Sequence, residues 1–469
     1  MDFKYNSYHT FEYNGSYYLF DVENLFGCII DSRICKALLA NDAAMLTNSE
    51  IKMFESFHDQ GIFFVDRPRD CYSYPDYKMV IVSMAIFHNC NLRCEYCFAE
   101  SGDNYHGRER KFTIEAINAA IDFLLNHPYF KKINNFRINL VGGGEPLLDK
   151  ELFRTFVKLI FDRFTHEKKH IYVWFSTNGT LLTDDDLKFI STYNMGYGIS
   201  LDGTSAVNDS LRRYKFGGGT YCDIVNNIKL IKQSKSVPKK MKEFWGLMVY
   251  TQKSGELIDD LENLYALGFS TVQMRFVRTK NSDLRLKEDF AIDNIFRFID
   301  YVFNKAISGD DSVLRLISND NDYLGKLIKR VVLKVPYEAR CLAGSYMFSF
   351  CADGNIYPCD SFVGDSDFII GNFYTDFCDD QLAKFKNLSI YKRPKCMDCW
   401  GKFVCGGDCY HNSYLHNHNI LKPEDTYCNI ILRAIECIIA NVNQYKMKNN
   451  SGFEKYEKFL RIRDGMSQK

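Results

Sequence analysis

The sequence predicts an α/β chain organised around a parallel sheet. Between residues 79 and 307, six apolar, β-rich segments alternate with six segments of helical apolar spacing. Polar, glycine-containing motifs follow several of the predicted strands, at the end where such sheets carry their chemistry. Six successive βα units imply a parallel sheet that is either doubly wound or a part-closed barrel.

The elements follow in order. His9–Tyr13 and Tyr17–Asp21 alternate around Asn14-Gly15, a hairpin signal, and Gly27–Ile30 adds a third strand. Ser32–Leu39 and Ser49–Gln60 carry helical spacing, the second behind an Asn/Ser cap. Residues 1–70 are therefore expected to form a small winged-helix-like α+β module. The core strands are Met79–Phe87, Phe136–Val141, His170–Ser176, Gly198–Leu201, Phe244–Tyr250 and Thr271–Phe276. The core helices are Thr113–Leu125, Lys150–Phe164, Asp184–Thr192, Thr220–Ser234, Ser254–Leu267 and Asp289–Asn304. The expected units are thus 1–70, 79–307, a helical bridge at 308–340, a cysteine-rich part at 341–446 with little regular periodicity, and an exposed helical tail at 447–469. Asn429–Lys446 is read as a helix.

Composition narrows the class. The chain has 469 residues, too many for one compact core. Lys+Arg and Asp+Glu both number 59, so no global field draws it to nucleic acid or an acidic membrane. The first residues lack an apolar signal region and no run of 18 apolar residues occurs, so the expected location is cytoplasmic. The 17 cysteines are an odd number in a long chain, which favours metal binding over disulfides. Many thiolates held on iron imply a reducing, anaerobic interior.

Cys90, Cys94 and Cys97 follow the first core strand in CxxxCxxC spacing. Three thiolates can hold three irons of a four-iron cubane and leave the fourth open for a substrate. A zinc loop would want a fourth ligand and paired CxxC spacing. Val141-Gly142-Gly143-Gly144-Glu145-Pro146 follows the second strand, Ser176-Thr177-Asn178-Gly179 the third, and Ser200-Leu201-Asp202-Gly203 the fourth. With these motifs, residues 79–304 resemble the radical S-adenosylmethionine superfamily. The resemblance implies a partial (βα)6 TIM-like barrel, a [4Fe-4S] cluster on the three cysteines, and S-adenosyl-L-methionine on its open iron. It also implies that Gly143, Gly144 and Glu145 receive the methionine amino group. Ser176, Asn178, Asp202 and either Arg212 or Arg213 would contact ribose or carboxylate, with Tyr96 near adenine. The implied chemistry is one-electron cleavage of the sulfonium, then hydrogen abstraction by a 5′-deoxyadenosyl radical. A flavodoxin- or ferredoxin-type donor would supply the electron.

Cys341, Cys359, Cys396, Cys399, Cys405, Cys409 and Cys428, with Asp353-Gly354 between the first two, are similar to the SPASM domain. That resemblance implies a C-terminal iron–sulfur domain with two auxiliary [4Fe-4S] clusters. Cys396, Cys399, Cys405 and Cys428 would hold the distal one; Cys341, Cys359 and Cys409 the proximal one. Sulfatase-maturating relatives place a further ligand six residues before the first cysteine, where this chain has Val335. The proximal cluster would then keep an open iron unless Cys351 or Cys378 completes it. Asp360 matches the catalytic base of those relatives; a capping role is the alternative. Cys28, Cys35, Cys71, Cys222 and Cys437 fall outside both motifs and read as small buried hydrophobes.

SPASM enzymes mostly modify peptides, and the element order of residues 1–70 resembles the leader-binding module of ribosomal-peptide maturases. The expected activity is thioether formation, joining a precursor-peptide cysteine sulfur to a carbon, as in sactipeptide and ranthipeptide maturases. The alternatives are anaerobic sulfatase maturation, carbon–carbon crosslinking, and a non-catalytic electron carrier. The glycine-glutamate motif argues against the carrier, which needs no methionine site.

Overall fold

The structure, a computed structural model, describes residues 8–63, 77–100, 111–235 and 237–463. Tyr8–Tyr13 (β1), Ser16–Asp21 (β2) and Phe26–Ile30 (β3) form an antiparallel meander. Asn14 and Gly15 both take positive φ, 49° and 75°, as a two-residue hairpin turn requires. Ser32–Ala40 (α1) is capped by Asp31, and Asn48–Asp59 (α2) by Thr47. The cap of α2 precedes the expected Asn/Ser pair: the Glu50 carboxylate accepts a hydrogen bond from the Thr47 N–H and closes a capping box. Strands followed by helices match the expected order of elements; residues 1–7 and 64–70 of that unit lie outside the described residues.

The core continues as Met79–Met84 (β4), Leu92–Cys94 (β5), Ile114–Asn126 (α3), Asn135–Leu140 (β6), Lys150–His166 (α4), His170–Thr177 (β7), Asp184–Thr192 (α5) and Gly196–Ser200 (β8). Then come Ser205–Leu211 (α6), Arg212–Tyr214 (β9), Tyr221–Gln233 (α7), Trp245–Tyr250 (β10), Leu257–Ala266 (α8), Thr271–Phe276 (β11) and Glu288–Ile307 (α9). Strands β4, β6, β7, β8, β10 and β11 are parallel and lie side by side in chain order. A doubly wound sheet reverses its strand order at a switch point. This one does not, so right-handed crossovers put the connecting helices on a single face. Burial agrees. Along β6 and β10 every second residue is buried beneath helices, including Phe136, Ile138 and Met248. The alternate residues, among them Arg137, Asn139 and Leu247, are only half-buried on the other face. Arg137 lies over the rings of Tyr172 and Trp174 on that face, 5.8 Å from each centroid. The sheet has one covered face and one open, partly accessible face, as in a part-barrel.

Ser312–Ile317 (α10) and Tyr323–Leu333 (α11) lead to Met347–Phe350 (β12), Asn355–Tyr357 (β13) and Gly371–Asn372 (β14). These strands were not expected in a stretch with so little periodicity. They are two to four residues long, too short to show alternation in sequence, and they extend the core sheet beyond β4. Short helices Asp379–Ala383 (α12), Pro394–Met397 (α13), Lys402–Cys405 (α14) and Tyr410–Asn417 (α15) precede Asp425–Lys448 (α16) and Asn450–Arg463 (α17). The last helix is not the exposed tail expected: Phe453, Tyr456 and Leu460 are buried, and Tyr456 Oη meets Ser318 Oγ at 2.6 Å. Residues 464–469 lie outside the described residues. No helix among the described residues is long and apolar enough to cross a membrane.

Helix α16 joins the two ends of the chain. Tyr13 Oη donates to Asp300 of α9 (2.9 Å) and accepts from the Cys437 thiol of α16 (3.1 Å). The His9 ring stacks on Trp400 at 3.8 Å, and His9 Nε2 meets Glu436 at 2.8 Å. Gly27 leaves room for the fully buried Ile439, whose Cγ2 would lie 2.8 Å from a Cβ placed there. An Ile439→Ala variant should lose about 2–4 kcal/mol of stability, the usual effect of hollowing a packed contact. Urea unfolding measures this, and a midpoint within error of the parent would refute the docking role.

Candidate functional site

The cysteine loop has little regular structure and is held from three sides. Strand β5 pairs with β9, setting Cys94 opposite Arg212 and Leu92 opposite Tyr214. The β6 loop closes over it: Glu145 N–H donates to Asn89 O at 2.8 Å. The β7 loop reaches it through Asn178, whose Nδ2 donates to Asn91 Oδ1 at 2.8 Å and lies 3.8 Å from Cys90 Sγ. Cys90, Cys94 and Cys97 are all partly exposed and unbonded to other sulfurs. Burial pushes the Cys90 thiol up and the Cys94 thiol to about 12; each also feels the charge of Cys97.

The glycines of the β6 loop answer to packing. A Cβ on Gly144 would stand 1.8 Å from Asn89 O, and one on Gly143 2.5 Å from the Ala85 Cβ. Gly142, at φ 98°, would meet the Asp360 Cβ at 2.9 Å. Glycine is thus required for loop against loop, as well as for any ligand. The Glu145 carboxylate turns inward and braces the site. Oε1 accepts from Leu147 N (3.1 Å) and Thr177 Oγ1 (2.8 Å), and Oε2 from Asn178 N (2.6 Å). A carboxylate offers about four acceptor positions, so Oε2 retains one. Burial raises the Glu145 pKa against these donors.

Tyr96, Asp202 and Arg212 form one buried network. Tyr96 Oη donates to Asp202 and accepts from Arg212 Nη1 at 2.6 Å; Asp202 Oδ1 accepts from Val249 N at 3.0 Å. The Tyr96 ring packs with Val207, Leu211 and Leu284. Arg212 is 6% exposed and its Nε has no hydrogen-bond partner among the described residues. Arg213 does not share this place. Alternation along β9 turns it outward, where its Nε donates to Asp209 O at 3.0 Å. Of the two arginines, only Arg212 faces the cysteine loop. Ser176 lies on the open face of β7, opposite in direction to the buried Thr177.

The C-terminal cysteines fall into two groups. Cys359 feels the charges of Cys409 and Cys341, and Cys341 that of Cys409. Cys396, Cys399 and Cys428 all feel Cys405; burial first, then that neighbour, pushes Cys396 to about 12 and Cys399 to about 11. Cys351 sits at the turn of the β12–β13 hairpin, its N–H on Asn355 O, whereas Cys359 leaves the other end of β13. Cys378 is exposed at the start of α12. Cys35 and Cys437 are buried as expected; Cys28 is only partly covered, at the third strand of its sheet, and Cys222 is exposed on the first turn of α7. Cys71 lies outside the described residues.

Sequence reasoning missed a set of cations among these sulfurs. Arg278 Nη1 donates to Cys409 Sγ at 3.2 Å. Burial opposes the Cys409 thiolate, but Arg278, a backbone hydrogen bond from Asn412 and Arg340 together outweigh it, and the thiol sits below its ordinary range. Arg340 is buried with Nη1 unpartnered among the described residues, its guanidinium over Tyr323 and Tyr427. Lys326 is buried with its ammonium over Tyr323; burial, then Arg340, pushes it well below the usual lysine range. Arg278 stands two residues beyond the last core strand, a position that could have drawn attention; nothing marked Lys326.

These residues fit iron–sulfur clusters better than single ions. Among the described residues no three Cys, His, Asp or Glu side chains converge as on one metal ion. A cubane instead takes one thiolate per iron at separate corners. The orphaned guanidinium nitrogens of Arg212 and Arg340, each beside thiols, are cationic donors suited to an anionic group. A Gly144→Ala variant should lose at least about tenfold in S-adenosyl-L-methionine affinity, because the loop cannot close over Asn89; Gly309→Ala, with nothing within 4 Å, should not. Isothermal titration of the anaerobic proteins checks this, and equal affinities would refute it.

Comparison with known proteins agrees with this geometry. Residues 84–264 match the family model of the Radical SAM superfamily. The cysteine-type anaerobic sulfatase-maturating enzyme of Clostridium novyi is 24% identical over 338 residues, covering 69% of this chain and 86% of the relative. The solved structure of native anSMEcpe with bound AdoMet superposes with a TM-score of 0.63 at 21% identity, covering 78% of this chain and 99% of that one. Streptococcus suis SuiB bound to precursor peptide SuiA gives 0.50 at 15% identity, covering 88% and 96%. At such identities the structural likeness speaks for the fold. The family match, resting on the same loops that enclose the cysteines, gives residues 84–264 a Radical SAM domain, and the protein is an enzyme that works with S-adenosyl-L-methionine and a [4Fe-4S] cluster.

Proposed function

We propose that the chain is a peptide maturase that joins a cysteine sulfur of a precursor peptide to a carbon of an acceptor residue. In this reading Cys90, Cys94 and Cys97 hold the S-adenosyl-L-methionine cluster. Cys396, Cys399, Cys405 and Cys428 hold one auxiliary cluster, and Cys341, Cys359 and Cys409 the other. Bound S-adenosyl-L-methionine and the reduced cluster supply a hydrogen-abstracting radical. The protein's own share is to close the β6 loop, hold Arg212 against the site and keep water out.

One observation carries the thioether reading. The second auxiliary set has three cysteines, and the residue after Cys359 lies against Gly142 of the first site's loop. A cubane on three thiolates keeps one iron for a peptide sulfur, and Val335 offers no fourth ligand. Arg278 stabilises negative charge on Cys409 of that set. The antiparallel meander β1–β3 supports capture of the peptide's leader as an added strand. Each bridge replaces one S–H and one C–H bond by one S–C bond: one hydrogen atom would pass to the 5′-deoxyadenosyl radical, the thiol proton to solvent and the remaining electron to an auxiliary cluster, so the peptide loses two hydrogens.

Asp360 favours a second reading, oxidation of a cysteine or serine to formylglycine. Its contact with Gly142 sets a carboxylate beside the first site, and the curated relative above is named for sulfatase maturation.

Anaerobically reconstituted enzyme with a cysteine-rich peptide encoded beside the gene should give products lighter by two hydrogens per bridge, with thiols no longer alkylatable. Mass spectrometry decides; unmodified thiols would reject thioether chemistry. The Cys90/Cys94/Cys97→Ala variant should lose about four irons, one cluster's worth, and all 5′-deoxyadenosine release. Retention of full iron content would reject the assignment of that loop.

A further inference from the structure

The β5–β9 ribbon has two faces. Leu92, Cys94 and Arg212 lie on the inner one. On the outer face Arg93 and Arg213 are direct cross-strand partners, and both are exposed. Like charges directly opposite each other destabilise a strand pair. Among the described residues no carboxylate relieves them: neither Arg93 nor Arg213 has an ion pair there. Lys215, next along the ribbon, also lacks one and donates instead to Asn89 Oδ1 at 2.8 Å. The nearby acids are engaged elsewhere. Glu95 pairs with Lys253 (2.6 Å), Asp223 accepts from Tyr214 Oη (2.6 Å), and Asp209 accepts from Thr220 N and Tyr221 N (both 2.8 Å). Phe216 at the ribbon's tip is fully exposed, and Phe98 after the last cysteine is 40% exposed. Here the chain keeps a repulsive cation pair and an exposed aromatic ring, where folding alone favours neither.

The patch covers the one redox element that needs an outside electron. Arg93 is adjacent in sequence to Cys94, and the ribbon is a single strand layer thick. We propose that this face docks a small, acidic, one-electron carrier protein of flavodoxin or ferredoxin type. Its carboxylates meet Arg93, Arg213 and Lys215, and Phe216 seats in its apolar surface around the redox group. One electron leaves the carrier and enters the cluster behind the ribbon; no bond forms or breaks. The inference rests on the reading that Cys90, Cys94 and Cys97 hold that cluster.

The test compares two reductants on the reconstituted holoenzyme without peptide, following 5′-deoxyadenosine. Dithionite needs no docking surface; reduced flavodoxin does. The Arg93→Ser/Arg213→Ser double variant should lose about tenfold or more of the flavodoxin-supported rate. It should keep its iron content and its dithionite-supported rate. The parent's flavodoxin-supported rate should fall with added salt, and the variant's should be flatter. Phe216→Ser should weaken flavodoxin support without changing the salt slope. An unchanged flavodoxin-supported rate in the double variant would overturn the docking face. So would equal losses with both reductants, or a defect seen only when peptide is present, which would make the patch a peptide site. Absence of dithionite-supported release in the parent would instead bring down the cluster assignment, and the docking inference with it.

Discussion

The site depends on how closely two irregular loops approach each other. The segment from His88 to Phe98 has only three residues of strand, so it cannot hold its own shape. Its shape comes from the β6 loop, whose Glu145 N–H bonds to Asn89 O across a gap that admits no side chain at Gly144. The buried Glu145 carboxylate passes that constraint to the β7 loop through Thr177 and Asn178, and Asn178 returns it to Asn91. Three strand ends are thereby locked around three sulfurs. Such locking is what a reaction through a short-lived radical demands, since the reacting groups must already be in place.

The C-terminal region follows a different logic. Its covering elements are short, yet it buries Arg340, Arg393 and Lys326 and holds Arg278 against a sulfur. A buried cation is costly without an anion. Arg393 is provided for by the Tyr410 ring, Ser413 Oγ and the Ile420 carbonyl. Arg340 and Lys326 lie over aromatic faces, close to the two cysteine groups. Under the proposed ligation, thiolate-bearing clusters provide the missing negative charge. The chain's zero net charge conceals this uneven placement.

Much of this was legible in the residues, and the exceptions have physical causes. The six core strands and their helices announced themselves by period, because each buries one face against a partner. Whether the sheet was doubly wound or part-barrel was not legible, since strand order is a property of the fold; the unreversed order settled it. Strands β5, β9 and β12–β14 were missed because segments of two to four residues carry no readable period. The cysteine groups could be sorted by resemblance alone. The bracing role of Glu145, the inward turn of Arg212 rather than Arg213, and the cations around Cys409 required three dimensions. The apolar residues of α17 are interleaved in sequence with Glu, Lys and Arg, which hid the buried stripe of Phe453, Tyr456 and Leu460.

The pairing of β12 with β4 has a bearing on how the polypeptide is made. Residues 81–84 find their outer neighbour only in residues 347–350. During synthesis, one side of β4 stays bare until most of the chain has emerged from the ribosome. A bare parallel edge invites foreign strands, and long-range pairing of this kind is slow. The nascent protein is therefore most exposed to misassembly while its cysteine loop is already free to meet oxygen or stray metal. That side of the sheet closes only once residues 347–350 are available to pair.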